Sequence, residues 1–345
     1  MRLFDIDGWP NFSETDGILS SPANIIMIWG GRGTGKTYTC LKDTLDAGKD
    51  FLFLRRTPGQ VDTIAADPSM WPFTPINRDT GRLIMPERVK GLRGMYRIMD
   101  EQDLDNPRQV GMVSSVVTLG RTRGFSSDTT ERIILDEYQK DELDYYRKGE
   151  GLGLANIYET VNRNRELKGK EPCKLILMSN AVGMANPYYM QWDVVDIIDK
   201  MIGTRRRWMY LPDRGIMLVD LADSPVAERK KDTALYRSLA GTDFYRSALE
   251  NQYAGEEKSR TESRDLIQYR PVVCVGRLCI YRHKSNGGYY VCEHSSGASP
   301  VYGTGHYDLL RFRQRYARLY DSYMARKIIF ERYSDEIYFR QLWDA

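Results

Sequence analysis

Five short apolar runs, near residues 25–30, 50–56, 113–119, 131–136 and 173–179, punctuate the first two hundred residues, with helix-like segments between them. Runs apolar at consecutive rather than alternating positions predict strands covered on both faces. Their alternation with helical segments predicts an α/β fold: a mostly parallel sheet with helices on both faces. Residues 57–110 interrupt this rhythm with many Pro and charged residues and weak periodicity, and read as an insertion or a mobile subdomain. Residues 206–254, which include LPDRG and DSPVAERKKDTALYRSLAGTDFYRSALENQ, read as a polar linker with one or two short helices. Beyond it the texture changes. Residues 270–294, RPVVCVGRLCIYRHKSNGGYYVCEH, alternate β-branched and aromatic residues around SNGG, which predicts a hairpin. From Tyr307 onward a helical period offers Leu310, Tyr316, Leu319, Tyr320, Tyr323 and Ile328 for burial, in one helix or two. The expected organisation is therefore a first domain over 1–205, a helical linker over 206–254 and a small α+β domain over 255–345.

The first apolar run leads directly into GGRGTGKT. Gly30, Gly35, Lys36 and Thr37 fit the G-x-x-x-x-G-K-[ST] spacing, with Gly31, Arg32, Gly33 and Thr34 inside the loop. A strand before and a helix after such a loop turn successive backbone N–H groups toward a phosphate at a helix N-terminus. Lys36 then neutralises the β and γ phosphates of a nucleoside triphosphate, and the Thr37 hydroxyl holds Mg²⁺. About a hundred residues later ERIILDEY ends an apolar strand on Asp136 and Glu137. A buried parallel strand delivers both carboxylates to its C-terminal edge, where open α/β sheets bind ligands. Asp136 suits the Mg²⁺ shell, and Glu137 suits the polarisation of a water that attacks the γ-phosphate. The expected ligands are ATP and Mg²⁺. A GTPase is disfavoured, because the strand ending in SNAV lacks an N-K-x-D element.

Composition changes this picture little. A chain of 345 residues exceeds the size at which single cores stop growing, so more than one domain is expected. Five Cys, an odd number, point to reduced thiols and an intracellular setting. No run of 18 apolar residues and no apolar segment in MRLFDIDGWPNF suggests a membrane span or a signal peptide. Net charge is +3, and residues 255–345 carry 15 Lys and Arg against 11 Asp and Glu, a mild basic excess compatible with nucleic acid.

Further residues gather near the same sheet edge. Arg163 and Arg165, in NRNREL at the end of a helix-like segment, are candidates for a cation that a neighbouring subunit supplies to the γ-phosphate. Solvated cations at a helix C-terminus are the plainer alternative. Ser179 and Asn180 follow the strand CKLILM, where a polar side chain can sense the γ-phosphate or help turn a loop. Arg55 and Arg56 follow the second strand, suited to subunit coupling or to an ordinary salt bridge. Arg147 and Lys148 lie beyond Glu137, and Arg121 and Arg123 form a second basic loop; cations of this kind bind phosphates without reading bases.

GGRGTGKT, FLFLRR, IILDEY, NRNREL and LILMSNAVGMANPYY together resemble the phi29-like phage DNA-encapsidation ATPases, an ASCE-class P-loop family. The resemblance covers the first two hundred residues and extends more faintly to the C-terminal helical segment. It implies a motor that translocates double-stranded viral DNA into a preformed capsid. Such a motor is a homo-oligomeric ring, of five subunits, docked on the capsid portal; in some members a small capsid-associated RNA scaffolds it. It places the protein in the cytoplasm of an infected bacterial host, transiently bound to the procapsid. It matches Arg163 to the family's finger position and Lys140 to one that grips DNA. Large terminases carry a nuclease of RNase H-like fold that needs clustered carboxylates. PVVCVGRLCIY holds no acid, and Glu293, Asp308, Asp335 and Glu336 show no clustering in their spacing, so an RNase H-like domain without a nuclease site, binding nucleic acid or the portal, is expected. Cys274, Cys279, Cys292 and His294 lack a C-x₂-C knuckle and read as core rather than a zinc site. The alternatives are another P-loop DNA translocase or helicase-type ATPase, and a nucleotide-switched assembly protein without motor activity.

Overall fold

Each of the five apolar runs becomes a strand, although not all with the expected limits. The computed structural model describes residues 1–122, 129–140, 144–180, 183–242, 245, 261–297 and 299–343. The chain divides into two compact units, Met1–Trp192 with Met201–Ala254, and Asp193–Lys200 with Gly255–Ala345.

Among the described residues the first unit holds nine strands in one sheet: Ile25–Trp29 (β1), Phe51–Arg55 (β2), Ile84–Arg88 (β3), Tyr96–Asp100 (β4), Arg108–Ser115 (β5), Arg132–Asp136 (β6), Lys174–Ser179 (β7), Trp208–Leu211 (β8) and Ile216–Asp220 (β9). Their order is β3-β4-β5-β2-β6-β7-β1-β9-β8. The six from β5 to β9 run parallel, while β3, β4 and β8 are antiparallel additions at the two edges. β2, β6 and β9 are buried at every position. Ile26, Ile28, Phe51, Phe53, Ile134 and Ile176 share one core cluster with Cys40 and Leu41 of the helix Lys36–Asp46. The intervening Met27, Trp29, Leu52 and Leu54 point to the other face and are equally buried, with Trp29 edge-on to Tyr189 at 6.3 Å. Both faces are thus covered, which is why these strands read as continuous apolar runs.

Two sequence expectations fail here for the same reason. Residues 57–110 are part of the first unit's core, not a separate insertion: Trp71 and Phe73 stack at 5.1 Å, Phe73 lies 6.0 Å from Phe51, and Ile76, Ile84 and Ile98 complete the cluster. Residues 206–254 open with β8 and β9, and β9 lies directly beside β1. Single aromatic anchors and a five-residue strand leave little periodicity, so their membership in the core shows only in contact. The run expected at 113–119 ends at Ser115, whose side chain accepts from Thr118 N and caps the short helix Val116–Leu119.

Among its described residues the second unit holds five strands, Tyr269–Val275 (β10), Leu278–His283 (β11), Tyr289–Cys292 (β12), Val301–Tyr302 (β13) and Ile328–Phe330 (β14), in the order β13-β10-β11-β12-β14. The hairpin around SNGG is β11–β12, and a second turn at Gly276, with φ +55°, divides the preceding run into β10 and β11. The helical end comprises His306–Met324, irregular at Tyr316, then β14, then Tyr333–Gln341. Leu319 and Ile328 are buried as expected, the latter in a strand; Leu310 and Tyr320 are exposed, and Phe312 is buried against Tyr302, Tyr316 and Trp343. Cys274 and Cys279 face each other across β10–β11, Cα atoms 4.1 Å apart, and form a disulfide. That corrects the expectation of five reduced thiols: counting cysteines does not reveal a register that opposes two of them. Among the described residues no helix is long and apolar enough to cross a membrane.

The position of β9 makes a simple prediction. A fragment ending at residue 205 keeps β7 beside β1 but loses β9, the parallel neighbour on its other side, and shows no cooperative thermal transition by circular dichroism. In the full chain Leu218→Asp, at a fully buried position, lowers stability by about 3 kcal/mol or more, a buried unpaired charge being among the costliest substitutions. Cooperative melting of the 1–205 fragment would remove β9 from the unit's core.

Candidate active site

The turn after β1 is shaped by its glycines. Gly33 and Gly35 have φ of +65° and +86°, left-handed values that strain any other residue. Gly30 admits no side chain, since a Cβ there would lie 2.7 Å from the Leu221 Cβ. The loop closes onto the N-terminus of the helix Lys36–Asp46, where unpaired N–H groups and the helix dipole favour an anion. Lys36 Nζ donates to the carbonyls of Gly30 at 3.0 Å and Gly31 at 2.7 Å, and to Asn180 Oδ1 at 3.3 Å. The Thr34 hydroxyl is buried and donates to the Gly31 carbonyl at 2.9 Å. Burial pushes the Lys36 ammonium down to about 8, with nearby Asp136 opposing and Lys230 reinforcing the shift.

β6 brings the acids to this loop. The Thr37 hydroxyl lies 3.1 and 3.0 Å from the two Asp136 oxygens. Arg55, from the end of β2, meets both acids: Nη2 is 3.2 Å from Asp136 Oδ2, and Nη1 pairs with Glu137 Oε2. Glu137 has φ +54°, an uncommon conformation for a residue with a side chain. Tyr138 explains how it is held, being fully buried with its hydroxyl 2.5 Å from that of Tyr189. The backbone turns over at Glu137, leaving its carboxylate half exposed between two buried neighbours. Ser179 is buried and its hydroxyl accepts from Gln139 N at 3.3 Å. Arg32, Lys36, Thr37, Asp136, Glu137 and Asn180 are among the residues lining a cavity of about 290 Å³. A buried ammonium, helix N–H groups and a hydroxyl paired with a carboxylate make a donor set that fits a polyphosphate carrying a divalent cation.

Arg56 points elsewhere. Fully buried, it binds Glu150 through Nε and Nη2, both at 3.0 Å, Asp144 at 2.6 Å and the Tyr145 carbonyl at 2.7 Å. Glu150, itself buried, also accepts from the Tyr188 hydroxyl at 3.1 Å and Arg147 N at 2.7 Å. This network anchors residues 144–150, which carry exposed Arg147 and Lys148. Lys140 is exposed on the same excursion, its Nζ donating to the Asp144 carbonyl at 3.3 Å. Arg121 is also exposed; Arg123 lies outside the described residues.

The two finger candidates separate. Arg165 donates to the carbonyls of Thr130 at 2.8 Å and Glu171 at 3.0 Å, and so staples its own chain. Arg163 is exposed at the C-terminus of Glu150–Asn162, with φ +38°, and does not line its own chain's cavity among the described residues. Both Glu137 and Arg163 therefore sit on strained backbone.

In the second unit the acids are less scattered than their spacing suggests. Glu293 pairs with Arg277 and, at 2.8 Å, with Arg332; Asp335 and Asp196 each lie 4.0 Å from Arg332. Two guanidinium groups stand among these carboxylates, and among the described residues no group of three His, Cys, Asp or Glu is arranged for a metal. Burial raises Asp335 to about 7. Asp308 is separate, accepting from Gly303 N. Cys274 and Cys279 are consumed by their disulfide, and Cys292 is buried, its thiol pushed up to about 11.

Sequence reasoning missed three contacts. Arg55 was expected as an ordinary ion pair or a subunit contact, not as the partner of both acids. Trp9 packs against Gly35, where a Cβ would lie 2.6 Å from its ring. Lys230 donates to the Arg32 carbonyl at 2.9 Å. The doublet Arg55–Arg56 after a strand was a usable signal for the first; no spacing links Trp9 or Lys230 to the loop.

Comparison with known proteins matches residues 115–300 to a family described as Podovirus DNA encapsidation protein (Gp16). The DNA packaging protein of Bacillus phage phi29 is 24% identical over 259 residues, 73% of this chain and 69% of the relative. That of Bacillus phage B103 is 21% identical over 253 residues, 72% of this chain and 70% of the relative. A chain from the bacteriophage Phi-29 viral genome packaging motor assembly has TM-score 0.67 at 15% identity, with 99% of both chains covered. The Phi-28 gp11 DNA packaging motor has TM-score 0.62 at 14% identity, with 93% of both covered. At these identities the structural likeness establishes the fold.

The Arg56–Glu150 pair is open to direct measurement. Removing one member strands a buried charge, so Arg56→Met lowers stability by about 3–5 kcal/mol. Glu150→Gln lowers it less, and the double variant loses less than the sum. Urea unfolding of the two single variants and the double variant reads this coupling. Strictly additive losses would show that the pair is not an energetic unit.

Proposed function

The chain belongs to the Podovirus DNA encapsidation protein (Gp16) family, and from that premise we infer that it is a phage DNA-packaging motor that hydrolyses ATP to move double-stranded DNA into a preformed capsid. The observation that carries this reading is the contact between Thr37 and Asp136 at 3.0 and 3.1 Å, beside the buried Lys36, in one cavity. The strand β7 between β1 and β6 supports an ASCE-type sheet, since it sets a polar residue, Asn180, between the loop and the acids.

ATP with Mg²⁺ supplies the scissile phosphate and the divalent charge. The N–H groups of residues 31–37 and the Lys36 ammonium bind the phosphates, while Thr37 Oγ1 and the Asp136 carboxylate are the groups that would hold Mg²⁺. Glu137 accepts a proton from the attacking water at a carboxylate oxygen. Because Arg55 engages that carboxylate in this structure, Glu137 exchanges this partner before acting as a base. Asn180, now bonded to Lys36, is placed to sense a γ-phosphate. Arg163, exposed and not among the described residues that line its own chain's cavity, suits a cation delivered to the site of the next subunit, so that turnover depends on ring contacts.

Lys140, Arg147 and Lys148 are proposed to hold DNA phosphates, on a segment that Arg56 and Glu150 anchor to the same strand that ends in Arg55. Arg121 and Arg123 form the second proposed contact. The second unit is proposed as an RNase H-like domain without nuclease activity, a reading supported by the arginines that neutralise Glu293, Asp335 and Asp196. The basic excess of residues 255–345 fits a nucleic acid or the capsid portal, with a homo-oligomeric ring of five subunits and, as in some members of the family, a capsid-associated RNA as further partners. The place of action is then the cytoplasm of the infected host, at the procapsid.

Two outcomes test this reading. Lys36→Ala loses ATP binding, Glu137→Gln keeps it but turns over at least about a hundredfold more slowly, and Arg163→Ala is inactive alone; mixing Arg163→Ala with Lys36→Ala restores DNA-stimulated hydrolysis, as a finger acting across subunits demands. Unimpaired capsid assembly and DNA binding by Glu137→Gln, with no ATP-driven DNA movement by the wild type, would leave only a nucleotide-switched assembly protein. In the second test Lys140→Ala, Arg147→Ala and Lys148→Ala each lower the salt dependence of duplex binding by about one unit of slope, without sequence preference. Fluorescence anisotropy between low and moderate salt reads this slope, and unchanged slopes move the DNA contact elsewhere.

A further inference from the structure

The helix Pro225–Lys231 lies far from the phosphate loop in sequence and against it in space. Its Arg229 donates to the Asp7 carbonyl at 2.5 Å, and Pro225 closes on Gly8, where a Cβ would lie 2.6 Å from the proline Cβ. Val226 and Ala227 are buried. This anchoring presents Lys230, whose Nζ donates to the Arg32 carbonyl at 2.9 Å and lies 6.0 Å from the centre of the Tyr236 ring. The ammonium is partly desolvated, which lowers its affinity for a proton.

That single bond orients the loop. A trans peptide points its C=O and N–H in opposite directions, and the described chain has no cis peptide. With the Arg32 carbonyl drawn toward Lys230, the N–H of Gly33 is turned the other way. Gly33 lines the cavity. Its φ of +65° and the absence of a side chain serve the same arrangement, because a Cβ there would overlap Lys230 Nζ.

We propose that Lys230 is a positioning residue for phosphate binding: it holds the Arg32–Gly33 peptide so that the Gly33 N–H is presented to a nucleoside polyphosphate, and adds a cation behind the loop. The proposal rests on the reading of residues 30–37 as a nucleotide site. Preorganisation of this kind lowers the reorganisation needed on binding, so its loss weakens affinity without removing the site.

The test uses the full chain and titrates it calorimetrically with ADP and ATPγS. Lys230→Met weakens both by about tenfold, the factor that about 1.4 kcal/mol gives. Lys230→Arg, which keeps a donor, recovers most of the loss, and Lys231→Gln, which removes the neighbouring cation, stays within about twofold of wild type. In turnover assays Lys230→Met raises KM more than it lowers kcat, a split that general loss of folded protein does not produce. Gly33→Ala, checked for folding by circular dichroism, reproduces the loss by a second route. Wild-type affinity in Lys230→Met overturns the proposal, as does equal weakening in Lys231→Gln. Absence of binding by the wild-type chain instead overturns the nucleotide site itself, and this inference falls with it.

Discussion

The meeting of Thr37 and Asp136 is the constraint on which the rest of the site depends. Their contact requires β1, β7 and β6 to end level with one another. The parallel register supplies this, pairing Trp29 with Ser179 and Asp136 with Met178. Parallel strands put all their C-terminal ends on one edge, so the loops after β1, β6 and β7 converge without further design. Lys36, Glu137 and Asn180 follow from that convergence, all three lining one cavity. Displacing one strand by two residues would keep every side chain on its face and still separate the hydroxyl from the carboxylate by roughly two strand rises, about 6–7 Å.

Two neighbouring arginines divide the electrostatics of this edge. Arg55 lies against Asp136 and Glu137, while Arg56 turns away from them and is fully enclosed by Glu150, Asp144 and the ring of Tyr146. Arg55 is the last residue of β2 and Arg56 the first beyond it, so the split falls where the chain leaves the strand. The strand β2 thereby joins the acids to the segment bearing Arg147 and Lys148 through a single peptide unit. A buried guanidinium with its partners satisfied holds its surroundings in one arrangement.

Much of this was legible beforehand. The glycine and lysine spacing of residues 30–37, the acids at 136 and 137 and the five apolar runs were all readable because each is a local pattern: consecutive apolar residues, a turn that only Gly tolerates, a strand ending in carboxylates. What was misread was contact. Trp71 and Phe73 tie residues 57–110 into the first unit, and β9 sits beside β1, yet neither stretch has a period that reveals it. In the second unit Glu293 and Asp335 are far apart in the chain and reach the same Arg332. Cys274 and Cys279 bracket a turn in a run that looked like one strand. Ile328 carried a helical period and lies in β14, because β-branched neighbours and a place beside β12 outweigh spacing.

The chain's own order of residues determined that a phosphate loop follows β1, that two acids end β6 and that a parallel sheet carries both, because these depend on interactions within a few residues of each other. Tertiary structure alone decided that Arg55 holds both acids, that Arg56 is spent on Glu150, that Arg165 is a staple while Arg163 is exposed, and that Lys230 stands behind the loop. Those outcomes are set by which groups arrive at the same few ångströms when the sheet closes. A charged side chain carries no mark in sequence of the partner, up to some two hundred residues away, that desolvation will oblige it to find.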